Sequence, residues 1–250
     1  IEVRGSNMAG ASAERQENKF VASINNLVKK NGVAIKIKAG GTTIKNVTRA
    51  DKFQGRQVSG SEPYIDVQLT LHNGKKIGLS MKGPSAPSLA GGGLKGINLA
   101  VPGLADRFMQ GAFKHLEKKI DPGDKVPDVY GEVAGMFKEK IVVGNKDMGG
   151  PIDFMYIGAM DPVTRYDKNT NCLEFTNGKL TEAKQYAKDK RLYFRLRARR
   201  VDQVFDPNAK DSKGIPKIYS KSPSRGDSAG RIMVTDSVPT NARENTITVR

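Results

Sequence analysis

The chain has 250 residues, with 42 Lys and Arg against 26 Asp and Glu and a formal charge of +16 at pH 7, a length that buries a core as one large domain or two small ones. It contains no run of about 18 apolar residues, which excludes a membrane span, and its N-terminus lacks the order of a secretory signal, so an intracellular protein is expected, cytoplasmic or nucleoid-associated. A single cysteine, Cys172, and two histidines, His72 and His115, exclude an internal disulfide and a Cys/His zinc cluster.

Residues 1–7 precede Met8-Ala-Gly and read as an expression leader outside the fold. Phe20, Val21, Ile24, Leu27 and Val28 then recur at helical spacing and Asn31-Gly32 supplies a stop, so a helix is predicted over 13–30. VAIKIK alternates apolar and polar residues, and Gly40-Gly41 turns the chain into TTIKNV, which predicts two strands. Residues 83–103, rich in Gly, Pro, Ser and Ala, read as a long loop bordering a site. Leu104, Phe108, Met109, Ala112, Phe113 and Leu116 predict a second helix, a shorter one is expected at 131–140, and IDFMYIGAM suits a buried strand. From Asp161 the texture becomes short strands, turns and one helical stretch, and this part is the more densely basic. The expected division is therefore a core over 8–160 and a basic, β-rich region over 161–250.

The hairpin EPYIDVQLTLHNGKKIGLSMKG carries the most information, because both arms alternate. A two-residue Asn73-Gly74 loop would set Val67 against Ser80 and mix apolar and polar residues on one face. A three-residue loop, His72-Asn73-Gly74, with Gly74 in the left-handed region, instead pairs 71 with 75. Leu69 then faces Ile77, Val67 faces Leu79 and Ile65 faces Met81 on the core side. Asp66 faces Ser80, Gln68 faces Gly78, and Lys82 stands diagonal to Asp66 within about 7–8 Å at the backbone.

An acidic residue and a lysine converging on one hairpin suit a hard divalent cation beside a scissile phosphate, since carboxylate oxygens bind the ion and the ammonium orients water. The first 160 residues resemble the PD-(D/E)XK nuclease superfamily, the restriction-endonuclease-like α/β fold with core order αβββαβ. The resemblance implies that Asp66 is the first metal-binding acid, that Lys82 takes the lysine role, and that Ser80 replaces the second acid. It also implies a glutamate from the first helix, for which Glu17 flanks the apolar stripe, with Glu14 and Glu62 as the weaker choices; Gln68 could position water or phosphate. Mg²⁺ or Mn²⁺ is the implied cofactor, double-stranded DNA the implied substrate, and a homodimer the expected assembly for cutting two strands.

The charge excess independently favours nucleic acid as partner. In RLYFRLRARR, Arg191, Tyr193, Arg195, Arg197 and Arg199 share one face with no acid among them, which suits phosphate contacts and base stacking. Lys95 is a further candidate phosphate contact, while the absence of a G-x-x-x-x-G-K-[ST] run excludes a P-loop. The alternative function is a non-catalytic DNA- or RNA-binding protein, either a degenerate nuclease fold or a packaging protein.

Overall fold

A computed structural model describes residues 7–85, 89, 93–198, 200–221 and 231–249. In chain order the elements are α1 (Asn7–Asn31), β1 (Ile35–Ala39), β2 (Thr42–Lys52), β3 (Val67–Leu71), β4 (Lys76–Lys82), α2 (Gly93–Ala100), α3 (Leu104–Leu116), β5 (Val129–Glu132), α4 (Gly135–Val143), β6 (Phe154–Gly158), β7 (Thr164–Asp167), β8 (Cys172–Phe175), β9 (Gly178–Glu182), α5 (Ala183–Asp189), β10 (Tyr193–Arg197), β11 (Gln203–Val204), β12 (Tyr219–Ser220), β13 (Arg231–Thr235) and β14 (Thr246–Thr248). They form a mixed α/β protein of two compact units, Ile1–Pro87 with Val143–Tyr186, and Ser88–Val142 with Ala187–Arg250. The boundary drawn from composition at residue 160 is replaced by this interleaving, because β7, β8 and β9 complete the sheet begun by β1 to β4.

The first unit is an eight-stranded mixed sheet, ordered β7-β8-β1-β2-β3-β4-β6-β9. The β1–β2 turn uses Gly40 (φ 56°) and Gly41 (φ 93°), both in the left-handed region that glycine enters without a Cβ clash. The apolar stripe of α1 closes one face of the sheet: Phe20 and Ile24, both fully buried, join Ile35, Ile37, Val47, Val67, Leu69, Leu79, Tyr156 and Phe175 in one core. Phe20 stacks on Phe175 with ring centroids 4.3 Å apart and meets Tyr156 edge-on at 5.0 Å.

The β3–β4 register is the expected one: Val67 pairs with Leu79, Gln68 with Gly78 and Leu69 with Ile77. The loop closes through Leu71 N–H to the Lys75 carbonyl at 2.9 Å, with Gly74 at φ 82°. One residue departs from the alternation. The Asp66 amide donates to the Leu79 carbonyl, the partner of Val67, so the ladder is irregular where β3 begins. Ile65 is accordingly buried outside the α1-facing core, against Gly78, instead of facing Met81. A Cβ on Gly78 would lie 2.9 Å from Ile65 Cγ1 and Cδ1 and 3.2 Å from the Pro151 carbonyl. Gly78→Val is therefore expected to cost about 1–3 kcal/mol through overpacking, read as a lowered thermal midpoint.

The second unit is built on a four-stranded sheet, β13-β10-β5-β14, with α3 packed on it through Phe108 against Phe194 at 5.3 Å. Two segments differ from their expected form. Residues 93–100 are helical, burying Gly96, Ile97 and Ala100, so Lys95 lies on an exposed helix face rather than in a loop. Residues 129–132 are strand, and the short helix begins only at Gly135, because Val129, Tyr130 and Gly131 pair with β10. The helix 104–116, expected between the third and fourth core strands, belongs to this second unit.

Candidate functional site

Asp66, Ser80 and Lys82 meet at one end of the β3–β4 hairpin. The irregular entry to β3 turns the Asp66 carboxylate toward β4, where Oδ2 accepts from the Met81 amide at 2.6 Å and the Ser80 hydroxyl at 3.2 Å. Lys82 Nζ lies 4.0 Å from the same oxygen. Oδ1 has no hydrogen-bond partner among the described residues. Burial raises the Asp66 pKa above the usual aspartate value, against the opposing pull of Lys82 and of the Met81 and Ser80 hydrogen bonds; the Glu62 charge adds to the rise. Ser80, 5% exposed, thus works as a hydrogen-bond donor to the acid it was expected to accompany.

Glu17, on α1, is paired with Lys52 rather than with Asp66 or Lys82. Burial and then the Asp66 charge raise its pKa, while a bond from Lys52 opposes the rise. Lys52 Nζ stands 3.3 Å from Glu17 Oε2 and 3.5 Å from Glu14 Oε1. The two glutamates expected from the first helix therefore share one lysine at the end of β2. Gln68 pairs with Gly78 and bonds to neither Asp66 nor Lys82 among the described residues.

Three residues were not singled out from the sequence: Gln16, Asp161 and Lys52. Gln16, 1% exposed, occupies a core position one helical turn before Phe20. Its Nε2 lies 3.2, 3.0 and 3.2 Å from the carbonyls of Lys82, Gly158 and Ala159. These are the open C-terminal ends of the parallel strands β4 and β6, so one amide fixes the Glu17 helix to the Lys82 strand. Asp161, paired with Arg15 and Lys19, adds a second tie beyond β6. The signal for Gln16 was a polar residue on an apolar stripe; for Lys52 no sequence signal existed, because its partners Glu14 and Glu17 lie on α1 and come within reach only once the helix packs on β2.

The two acids are of the oxygen-donor type that a hard divalent cation takes. Asp66 and Glu17 supply carboxylate oxygens, and the site already holds an ammonium as its cation. Among the described residues no three His, Cys, Asp or Glu side chains converge, so the protein offers two acids at most here. A separate cavity of about 580 Å³ lies at the opposite, turn end of the hairpin, lined by Leu71, Lys75, Ile77 and Phe154 among others.

In the second unit, the arginine face of β10 is not free of acids. Arg195 forms a two-point bond with Asp128 (2.9 and 2.5 Å) and lies 5.7 Å from the Tyr130 ring centroid. Arg191 grips Glu132 at 2.9–3.1 Å and lies 5.9 Å from the Tyr193 ring. Both acids come from β5 or the residue before it, across an antiparallel register, and so were invisible in the strand's own sequence. Arg197 is exposed and has no acidic partner among the described residues; Arg199 lies outside them, as do residues 1–6 and most of the Ser/Gly/Lys/Arg loop after Ser220. No helix of the described residues is long and apolar enough to cross a membrane. No protein-family model, curated protein or solved structure matches the chain.

Proposed function

We propose that this protein is a divalent-metal-dependent endonuclease that hydrolyses DNA phosphodiester bonds, with a restriction-endonuclease-like core in its first unit. The observation that carries the reading is the Asp66 carboxylate, held by Met81 and Ser80 through one oxygen, with a lysine ammonium 4.0 Å away and a second acid, Glu17, electrostatically coupled to it from α1. The strand order supports it: antiparallel β1 to β4 followed by a β6 that runs parallel to β4.

Asp66 and Glu17 would hold Mg²⁺ or Mn²⁺. The bound ion supplies Lewis acidity at the phosphate and makes a nearby water more acidic. Met81 and Ser80 orient Asp66, Gln16 holds the Glu17 helix in register with β4, and Lys82 orients the attacking water and offsets charge developing on the phosphate. The charge of +16 supports a polyanionic substrate, with Lys95, Tyr193 and Arg197 as contacts of the second unit and Arg191 and Arg195 presented through their acid and aromatic partners. Cutting both strands of a duplex calls for two such sites, hence a homodimer.

Lys82→Met should reduce cleavage of an end-labelled duplex in Mg²⁺ or Mn²⁺ by roughly 10²–10³-fold, the scale of losing one charge-stabilising group. Binding, followed by mobility shift, should fall only slightly. Undiminished cleavage would remove the site. Ser80 in the position of a second acid favours the other reading, a DNA- or RNA-binding protein without catalysis, for which the wild type binds and cuts nothing.

A further inference from the structure

We propose that the cavity at the turn end of the hairpin is a binding site for a small amphipathic anion, an apolar body bearing one carboxylate. The inference is independent of the nuclease reading, which uses none of the residues that line this cavity.

The cavity holds about 580 Å³ and lies wholly within the first unit. That volume falls inside the span of about 300–1,000 Å³ usual for small-molecule sites. Its floor is apolar: Ile44, Ile77 and Ile152 are buried there, while Leu71, Val143 and Phe154 keep part of their surface open. A hydrocarbon or aromatic body laid on that surface removes apolar area from water. The rim is polar, and three lysines, Lys45, Lys75 and Lys184, stand against two acids, Asp153 and Glu182. Asp153 is already occupied, its Oδ2 accepting from the Gly78 amide at 2.7 Å. Lys45 and Lys75 are exposed and form no ion pair among the described residues. A carboxylate over the floor therefore meets two ammonium groups that no acid of the chain neutralises, whereas a cation of the same shape meets an excess of positive charge.

The wall that carries Lys45 is built irregularly. Thr43, Ile44, Lys45 and Asn46 all line the cavity, which successive residues of a regular strand do not do, since their side chains alternate between faces. Between the pairs Ile35–Val47 and Ile37–Ile44, β2 carries two residues, Lys45 and Asn46, opposite the single Lys36 of β1. This is a bulge, and Asn46 adopts φ 60°, in the left-handed region that asparagine tolerates better than most side chains. The Asn46 carbonyl accepts from the His72 amide at 2.8 Å, and the Lys75 carbonyl accepts from the Leu71 amide at 2.9 Å. These bonds fasten the bulge to the hairpin turn and set Lys45 and Lys75 at the same mouth. A bulge gives up ladder pairing to re-aim a side chain, and such irregular backbone gathers at binding sites.

Titration calorimetry of the full chain with sodium decanoate and with 2-naphthoate, below any micelle-forming concentration, tests this. The expected result is saturable binding of one carboxylate per chain. Decyltrimethylammonium, the same chain with a cationic head, and inorganic phosphate, an anion without a body, should both bind far more weakly. The double variant Lys45→Gln/Lys75→Gln should weaken carboxylate binding about 10-fold, the scale of losing charge-assisted contacts. Lys29→Gln/Lys30→Gln removes the same charge from the exposed end of α1 and should leave binding unchanged. Circular dichroism melts confirm that each variant is folded. No saturable binding of either carboxylate, equal binding of decyltrimethylammonium or of phosphate, or equal weakening by the two lysine pairs would overturn the site. Plasmid cleavage plays no part in this readout, so failure here and failure of the nuclease reading are told apart.

Discussion

Asp66→Asn is expected to lower the rate of DNA cleavage by roughly 10³-fold, the scale of removing one preorganised charge-stabilising group, while leaving the protein at least as stable at neutral pH. The two effects have one origin. Burial raises the Asp66 pKa in the folded chain above its value of 3.8 in an unfolded one. The folded state therefore keeps this proton to higher pH than the unfolded state does. The residue's contribution to stability is full below the unfolded value and is lost as pH rises through the raised one. Above that window the ionised carboxylate is a net cost, held in place for its chemistry, and a neutral amide removes the cost. Asn also keeps an oxygen to accept from the Met81 amide, now at 2.6 Å, whereas Ala would strand that donor. Calorimetric melts without divalent cation, beside cleavage rates, check both halves. A variant that loses activity and also melts lower at neutral pH would mean that Asp66 is chiefly structural.

Phe20→Ala is expected to cost about 3–5 kcal/mol, the range for truncating a buried aromatic side chain. Phe20 is fully buried between Phe175 and Tyr156, and it is the residue by which α1 enters the core of the sheet. For a chain of this size the melting temperature should fall on the order of 10 °C. Because Gln16 and Glu17 sit one turn away on the same helix, cleavage should fall as well even where the protein remains folded. A loss of stability with unchanged turnover would separate α1 from the chemistry and remove Glu17 from the site.

The hairpin was legible in the sequence because two local signals agreed: alternation on both arms selected the register, and Gly74 could supply the left-handed residue that a three-residue loop demands. Ile65 was not, since one irregular pairing at Asp66 shifts everything before it to another face, and no composition signal marks that slip. The helix 93–100 was hidden by glycines that depress helix propensity, although Ile97 and Ala100 are buried. Partners across strands were the least legible. Asp128 and Glu132 neutralise two arginines from 67 and 59 residues away, and Lys52 meets Glu14 and Glu17 only once α1 packs on β2. Among the residues assigned to chemistry from the sequence, Asp66, Ser80 and Lys82 come together; Glu17 pairs with Lys52 and Gln68 stands apart on β3.

The most direct measurement is incubation of the purified protein with supercoiled plasmid at low salt, in Mg²⁺, in Mn²⁺ and in EDTA, beside Asp66→Asn. The expected result is nicked or linear plasmid with either metal, and intact plasmid in EDTA and with the variant. Plasmid that is bound but stays supercoiled under both metals, or nicking that survives Asp66→Asn, would contradict a metal-dependent nuclease centred on this hairpin.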